Sequence, residues 1–182
     1  FSPYVEELVF DGDLEFKHFF DSVKIGGDYG KWLEVAKTVR NDSVIQSKVV
    51  LAASFASVLV KPLNALCFFV HLWGTTEAGK TVASMLAASV WGKPSIGDYI
   101  RTLDSTAVGQ EMAAGFVNSM PLILDELQLV NERVDLDKVI YRLAEGVGRM
   151  RGSKQGGIQQ MKTWRNCIIT SGEAPICGEY SG

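Results

Sequence analysis

The sequence has too little cysteine to build on: three residues, Cys67, Cys167 and Cys177, scattered over 182 positions. That number makes no disulfide framework. With only His18 and His71 to help, it makes no zinc site either, so reduced thiols in an intracellular compartment are expected. A surplus of one charge is also missing. At a net −3 nothing global advertises nucleic acid, and any such site has to be local. No uninterrupted apolar run reaches the roughly twenty residues that a bilayer-spanning helix needs. The nearest approach, residues 49–73, is broken by Lys61 and Pro62 and reads better as a helix tail followed by a buried strand. Signal peptide, tandem repeat and low-complexity tract are lacking too, so a cytoplasmic protein without a membrane partner is expected. The length suits one domain with a proper core. A chain that opens on Phe1 rather than methionine points to a piece of a longer protein.

What is there alternates between two periodicities. Residues 1–30 are aromatic-rich and read as irregular. Helical spacing follows over 31–41 and again over 42–60, with Asp42 or Ser43 as N-cap of the second helix and Pro62 as its stop. "ALCFFVHLW" (65–73) is continuously apolar, the pattern of a strand buried on both faces. A helix is predicted over 80–91, a short strand near 99–103, and a helix from Ser105 or Thr106 to about Val117. A strand at 121–126, a helix at 135–146 and a last strand at 165–173 complete the series. Strand alternating with helix means crossover connections and a parallel sheet, an α/β core over 65–182 against which residues 1–64 pack. Ligands of such sheets sit at the carboxyl ends of the strands. Three polar clusters fall there: the loop after residue 73, Asp125–Glu126 and Thr170–Ser171.

The loop is "GTTEAGKT", Gly74, Thr75, Thr76, Glu77, Ala78, Gly79, Lys80 and Thr81, which satisfies the Walker A pattern G-x4-G-K-[ST]. A phosphate cradle needs backbone N–H groups turned inward, hence glycine where a Cβ would clash or φ turns positive. The following helix offers its N-terminal amides to the anion. Lys80 reaches the β- and γ-phosphates, and the Thr81 hydroxyl joins a Mg2+ shell. Lying between a buried strand and a helix, the match has the context that distinguishes a cradle from a plain turn. Glu77 is the oddity, an acid where many such loops have another glycine, and it is expected to point outward, toward a neighbouring subunit.

Asp125 and Glu126 end the strand at 121–126. The expected division of labour is Mg2+ held through water by Asp125, and the attacking water oriented by Glu126. Thr170 or Ser171 would contact the γ-phosphate or that water; Glu173 could assist. Between Gly146 and Gly172 there are five basic residues and no acidic one: Arg149, Arg151, Lys154, Lys162 and Arg165. The remainder of the chain therefore carries −8. "RMRGSKQGGIQQMKTW" reads as a β-hairpin with a basic tip, suited to a sugar–phosphate backbone. Arg149 or Arg151 could instead serve as a finger reaching a neighbour's γ-phosphate.

Four stretches, "GTTEAGKTVASMLAASVWGKP", "PLILDELQLV", "YRLAEGVGRMRG" and "WRNCIITSGE", together resemble an uncharacterised P-loop ATPase/helicase-like family of phage, plasmid and mobile-element replication proteins. The resemblance spans about residues 30–180. It implies a P-loop NTPase fold with a RecA-like or AAA-plus core of the additional-strand, catalytic-glutamate type, and a β-hairpin insertion before the sensor strand. It also implies a ring-shaped hexamer, with Lys154, Arg149 and Arg151 turned to single-stranded DNA and Lys154 as the pore residue. ATP and Mg2+ are the implied cofactors. Such a core has a fifth strand and a helical lid that this chain stops short of. The leading expectation is the ATP-hydrolysing motor domain of a replication helicase. A nucleotide-dependent switch or assembly ATPase acting on protein without DNA is the alternative, and a small-molecule kinase the third. No Asn-Lys-x-Asp motif supports a GTPase.

Overall fold

The structure, a computed structural model, describes residues 14–42, 44–102, 107–125, 136–150 and 161–176. Four strands, β1 (Phe68–Trp73), β2 (Arg101–Thr102), β3 (Leu122–Asp125) and β4 (Cys167–Gly172), form one sheet in the spatial order β1-β4-β3-β2. Every pairing is parallel. Among the described residues six helices surround it: α1 (Leu14–Ser22), α2 (Tyr29–Asp42), α3 (Ile45–Ala56), α4 (Lys80–Ala88), α5 (Ala107–Val117) and α6 (Leu136–Glu145).

The two inner strands explain the parallel sheet. Leu122, Ile123, Leu124, Ile168 and Ile169 are all buried, with no alternation of polar and apolar positions, as strands covered on both faces require. The outer strand β1 departs from expectation. Its run is as apolar as that of β4, yet only Leu72 is fully buried and Trp73 is exposed. Among the described residues β1 pairs on one side alone, with β4, and so is an edge. The chain crosses from β1 over to β2 through α4, then returns stepwise through α5 and α6. Right-handed crossovers of opposite direction put α4 on one face and α5 with α6 on the other. In keeping with this, α3 packs on α4, whereas α6 packs on α5.

Several boundaries differ from the sequence reading. Residues 14–22, expected to be irregular, form α1. Its Phe19 packs on Tyr99 and Phe116 with centroids 5.4 and 5.3 Å away, and Phe16 stacks on Phe116 at 5.1 Å. A nine-residue helix has little intrinsic stability, so this one is held by tertiary aromatic contacts, which periodicity does not reveal. Asp42 closes α2 instead of capping the next helix. The N-cap of α3 is Val44, without a side-chain bond, and Ser43 lies outside the described residues. The helix expected to run over 80–91 ends at Ala88. The alternative starts proposed for α5, Ser105 and Thr106, also lie outside the described residues.

Two close approaches set the frame. Ser57, in a 3-10 turn after α3, donates its hydroxyl to Ser119 O (2.8 Å) and accepts from the Cys167 amide (2.9 Å), fixing where β4 begins. The Cys167 thiol itself is pushed up to about 12 by burial, which marks it as a packing group rather than a nucleophile. At the other end of the core Lys93 N donates to Ser22 O (2.8 Å), and a Cβ on Gly92 would lie 2.2 Å from that same oxygen. Because the obstacle is backbone, Gly92→Ala is expected to destabilise by about 1–3 kcal/mol, the usual range for overpacking. A thermal melt checks it; an unchanged midpoint would mean that α1 docks less tightly than it does here.

Candidate functional site

A cleft of about 350 Å3 opens at the carboxyl ends of the strands, lined by residues 76–82 together with Asp125, Ser171 and Glu173. Three separate sequence clusters thus meet in one cavity. The physical cause is the strand order. β4 lies between β1 and β3, so the loop after β1 and the carboxylate ending β3 face each other across the tip of β4.

The loop takes the backbone that its sequence demands. Gly74 has φ 146° and Gly79 φ 80°, the latter as N-cap of α4. Glu77, the residue in place of a third glycine, has φ 65°. A non-glycine side chain in the left-handed region costs roughly 1–2 kcal/mol, so the position wants glycine geometrically even though the chain carries glutamate. Glu77 is exposed and lines the mouth of the cleft. Lys80, half-buried, donates from Nζ to Gly74 O (2.8 Å) and Thr75 O (2.7 Å), bridging the start of the loop to its end.

Asp125 is 1% exposed. Its Oδ1 accepts a short hydrogen bond from the Ser171 hydroxyl, and its Oδ2 is buried without a hydrogen-bond partner. An orphaned carboxylate oxygen on a residue that lines the same cleft as Thr81 is a hard-oxygen donor of the kind that suits Mg2+. Among the described residues no three His, Cys, Asp or Glu groups converge as a metal cage.

The pair Thr170–Ser171 is separated by the pleat, since neighbours on a strand point to opposite faces. Ser171 lines the cleft. Thr170 faces away, its hydroxyl 2.8 Å from His71 Nδ1, and does not line the cavity. The structure thereby picks the serine as the cleft hydroxyl. Glu126, Arg151 and Lys154 lie outside the described residues, as does Cys177.

Arg149 sits at the base of the basic excursion and does not line the cleft. At that base the two chain segments run antiparallel, and residues 151–160 of the expected hairpin lie outside the described residues. Val147 bridges Thr163, Gly148 N donates to Lys162 O (2.8 Å) and Trp164 N donates to Gly146 O (3.0 Å). It is anchored from behind by Trp164 Nε1 on Leu143 O (2.9 Å) and by buried Glu111, which accepts from the Arg149 amide (3.3 Å) and pairs with Arg142 (3.4 Å).

The family model for DUF927, a domain of unknown function, matches residues 13–163. The chain belongs to the DUF927 family. Among solved structures the DUF927 domain is similar to SCCmec type IV Cch, an active helicase, with a TM-score of 0.60 at 21% identity over 85% of this chain. It spans 28% of that helicase chain, and a likeness at this identity shows a common fold. No curated protein matches the sequence.

Two residues at or beside the candidate site of this DUF927 domain carried little signal in its sequence, His71 and Glu173. The His71 ring lies between Thr170 Oγ1 and Ala174 O (2.9 Å from Nε2), and Glu173 Oε1 accepts from Thr76 Oγ1 (3.3 Å). Burial holds the His71 pKa below its ordinary 6.5, the Ala174 carbonyl opposing only in part. The folded state thus favours neutral imidazole, and below about pH 6.5 the unfolded chain binds more protons. Stability associated with this ring is present above that pH and is lost as pH falls through it. Denaturant midpoints from pH 7.5 to 5.5 should decline, and His71→Gln should flatten the decline; equal slopes would remove the assignment.

Proposed function

We propose that this DUF927 domain is the ATP-hydrolysing motor of a phage or mobile-element DNA helicase, working on single-stranded DNA as part of a hexameric ring. The observation that carries the reading is the single cleft joining Lys80, Thr81, Asp125 and Ser171 at the carboxyl edge of a parallel sheet. Supporting it, β4 intervenes between the loop strand β1 and the acid strand β3, the arrangement of a RecA-like or AAA-plus core with an additional strand. The helicase fold of the similar structure points the same way.

In this reading the amides of residues 74–81 and the N-terminus of α4 receive the phosphates. Lys80 leaves the Gly74 and Thr75 carbonyls for phosphate oxygens, exchanging two neutral acceptors for charged ones. Thr81 and Asp125 would hold Mg2+, which when bound offsets charge on the phosphoryl oxygens. Ser171 orients Asp125 through its hydrogen bond, and Glu126 positions the attacking water. Arg149, Arg151 and Lys154 supply the DNA contacts.

The test is ATP turnover by the full-length protein with and without single-stranded DNA. Stimulation of severalfold is expected, with DNA affinity falling steeply as salt rises, because lysine and arginine contacts release condensed counterions. Turnover indifferent to DNA at low salt would transfer the motor to a protein partner, and the assembly-ATPase reading would replace this one.

A further inference from the structure

His71 belongs to the strand that carries the loop, yet it reaches the chain beyond β4. Across the β1–β4 pair it stands directly opposite Thr170. One ring nitrogen, Nδ1, is 2.8 Å from Thr170 Oγ1, and the other, Nε2, is 2.9 Å from Ala174 O. A carbonyl can only accept, so Nε2 carries the proton and Nδ1 accepts from the threonine hydroxyl. Both nitrogens of a neutral ring are thus used, one on the strand and one on the turn that follows it. Between those two anchor points lies Glu173, whose side chain points to the opposite face, into the cleft, and holds Thr76 of the loop. The contacts close a circuit: β1, His71, Ala174, Glu173, Thr76 and back to β1.

We propose that His71 is a positioning residue of the nucleotide site, fixing the 172–176 turn so that the Glu173 carboxylate tethers the outer limb of the phosphate loop. The inference rests on the nucleotide reading above and adds a second hold on the loop. Lys80 grips the inner limb through Gly74 and Thr75, a grip that must be released when the ammonium turns to phosphate. The Glu173–Thr76 contact does not depend on that ammonium, so it keeps the loop in register when Lys80 changes partners. Loss of either His71 or Glu173 lowers the fraction of loop competent to bind, which weakens apparent affinity by that fraction.

The experiment compares His71→Leu, His71→Gln, Glu173→Ala and the His71→Leu/Glu173→Ala double variant in the full-length protein. Hydrogen exchange of the amides of residues 172–174 and 176 is followed without nucleotide, and KM and kcat for ATP are measured separately. His71→Leu and Glu173→Ala should each raise KM about tenfold, as expected if the competent population falls to about a tenth, with kcat changing less. The double variant should be no worse than either single one, since both break the same circuit. His71→Leu should speed exchange at 172–176. His71→Gln, whose amide nitrogen can reach the Ala174 carbonyl, should recover most of the affinity and protection. A KM in His71→Leu equal to that of the unsubstituted protein, or exchange unchanged at 172–176, overturns the proposal. If the unsubstituted protein does not hydrolyse ATP, the nucleotide reading fails by itself, and the exchange measurement still decides whether His71 holds the turn.

Discussion

Lys80→Ala is expected to remove ATP binding, lowering affinity about 100-fold or more and taking turnover with it. The estimate follows from the size of a charge-assisted contact in a partly desolvated cleft, where loss of one preorganised donor commonly costs about 10²–10³ in rate. The lysine is half-buried at the N-terminus of α4, so its charge adds to the unpaired amides of that helix instead of being screened by bulk water. Its two present acceptors are the loop carbonyls of Gly74 and Thr75. Losing those bonds should cost the nucleotide-free protein only about 1 kcal/mol, since both carbonyls lie where water can replace the ammonium. The signature is therefore a large loss of ligand affinity with a small loss of fold. Titration with a fluorescent ATP analogue and a thermal melt read the two halves. Retained affinity in Lys80→Ala would dismiss the phosphate-loop assignment.

The second large effect is expected at Asp125, with the opposite balance between function and stability. Asp125→Asn should lower Mg2+-dependent turnover by about 10² or more, because the carboxylate that would hold the ion loses its charge. The melting temperature of the nucleotide-free protein should hold or rise. The reason is local: the carboxylate is buried, Oδ1 is occupied by Ser171, and Oδ2 has no partner. A buried polar group left unsatisfied costs about 1–3 kcal/mol, and more for a charged one. Asparagine keeps the acceptor for Ser171 while removing the charge. Strained or unsatisfied groups that persist at a cleft are commonly retained for chemistry. Full turnover in Asp125→Asn would leave the orphaned oxygen without a role and remove Mg2+ from this position.

The candidate site was legible to different depths. Gly74, Gly79, Lys80 and Thr81 could be read from one octapeptide, because a loop that wraps an anion by its backbone is dictated by local φ preferences and a local helix start. Asp125 was legible as the end of an apolar strand. The choice of Ser171 over Thr170 was not, since it depends on which way the pleat of β4 faces relative to its two neighbours. His71 and Glu173 were weaker still. Their contacts join positions about a hundred residues apart, and a histidine within an apolar run gives no sign of what lies opposite it.

The same contrast holds for the fold. Alternating apolar strands and amphipathic helices, with glycine at positive-φ positions, were enough for the sequence by itself to determine a parallel α/β sheet and the loop after its first strand. The loop and the form of each element follow from local interactions, and the parallel sense of the sheet follows from strands alternating with helices along the chain. Only the tertiary structure decided that β4 lies between β1 and β3, that β1 is an edge among the described strands with an exposed tryptophan, and that an aromatic segment near the start folds as α1 against Phe116 and Tyr99. Those outcomes depend on which distant surfaces bury one another, and burial is a property of pairs of segments that neither segment carries alone.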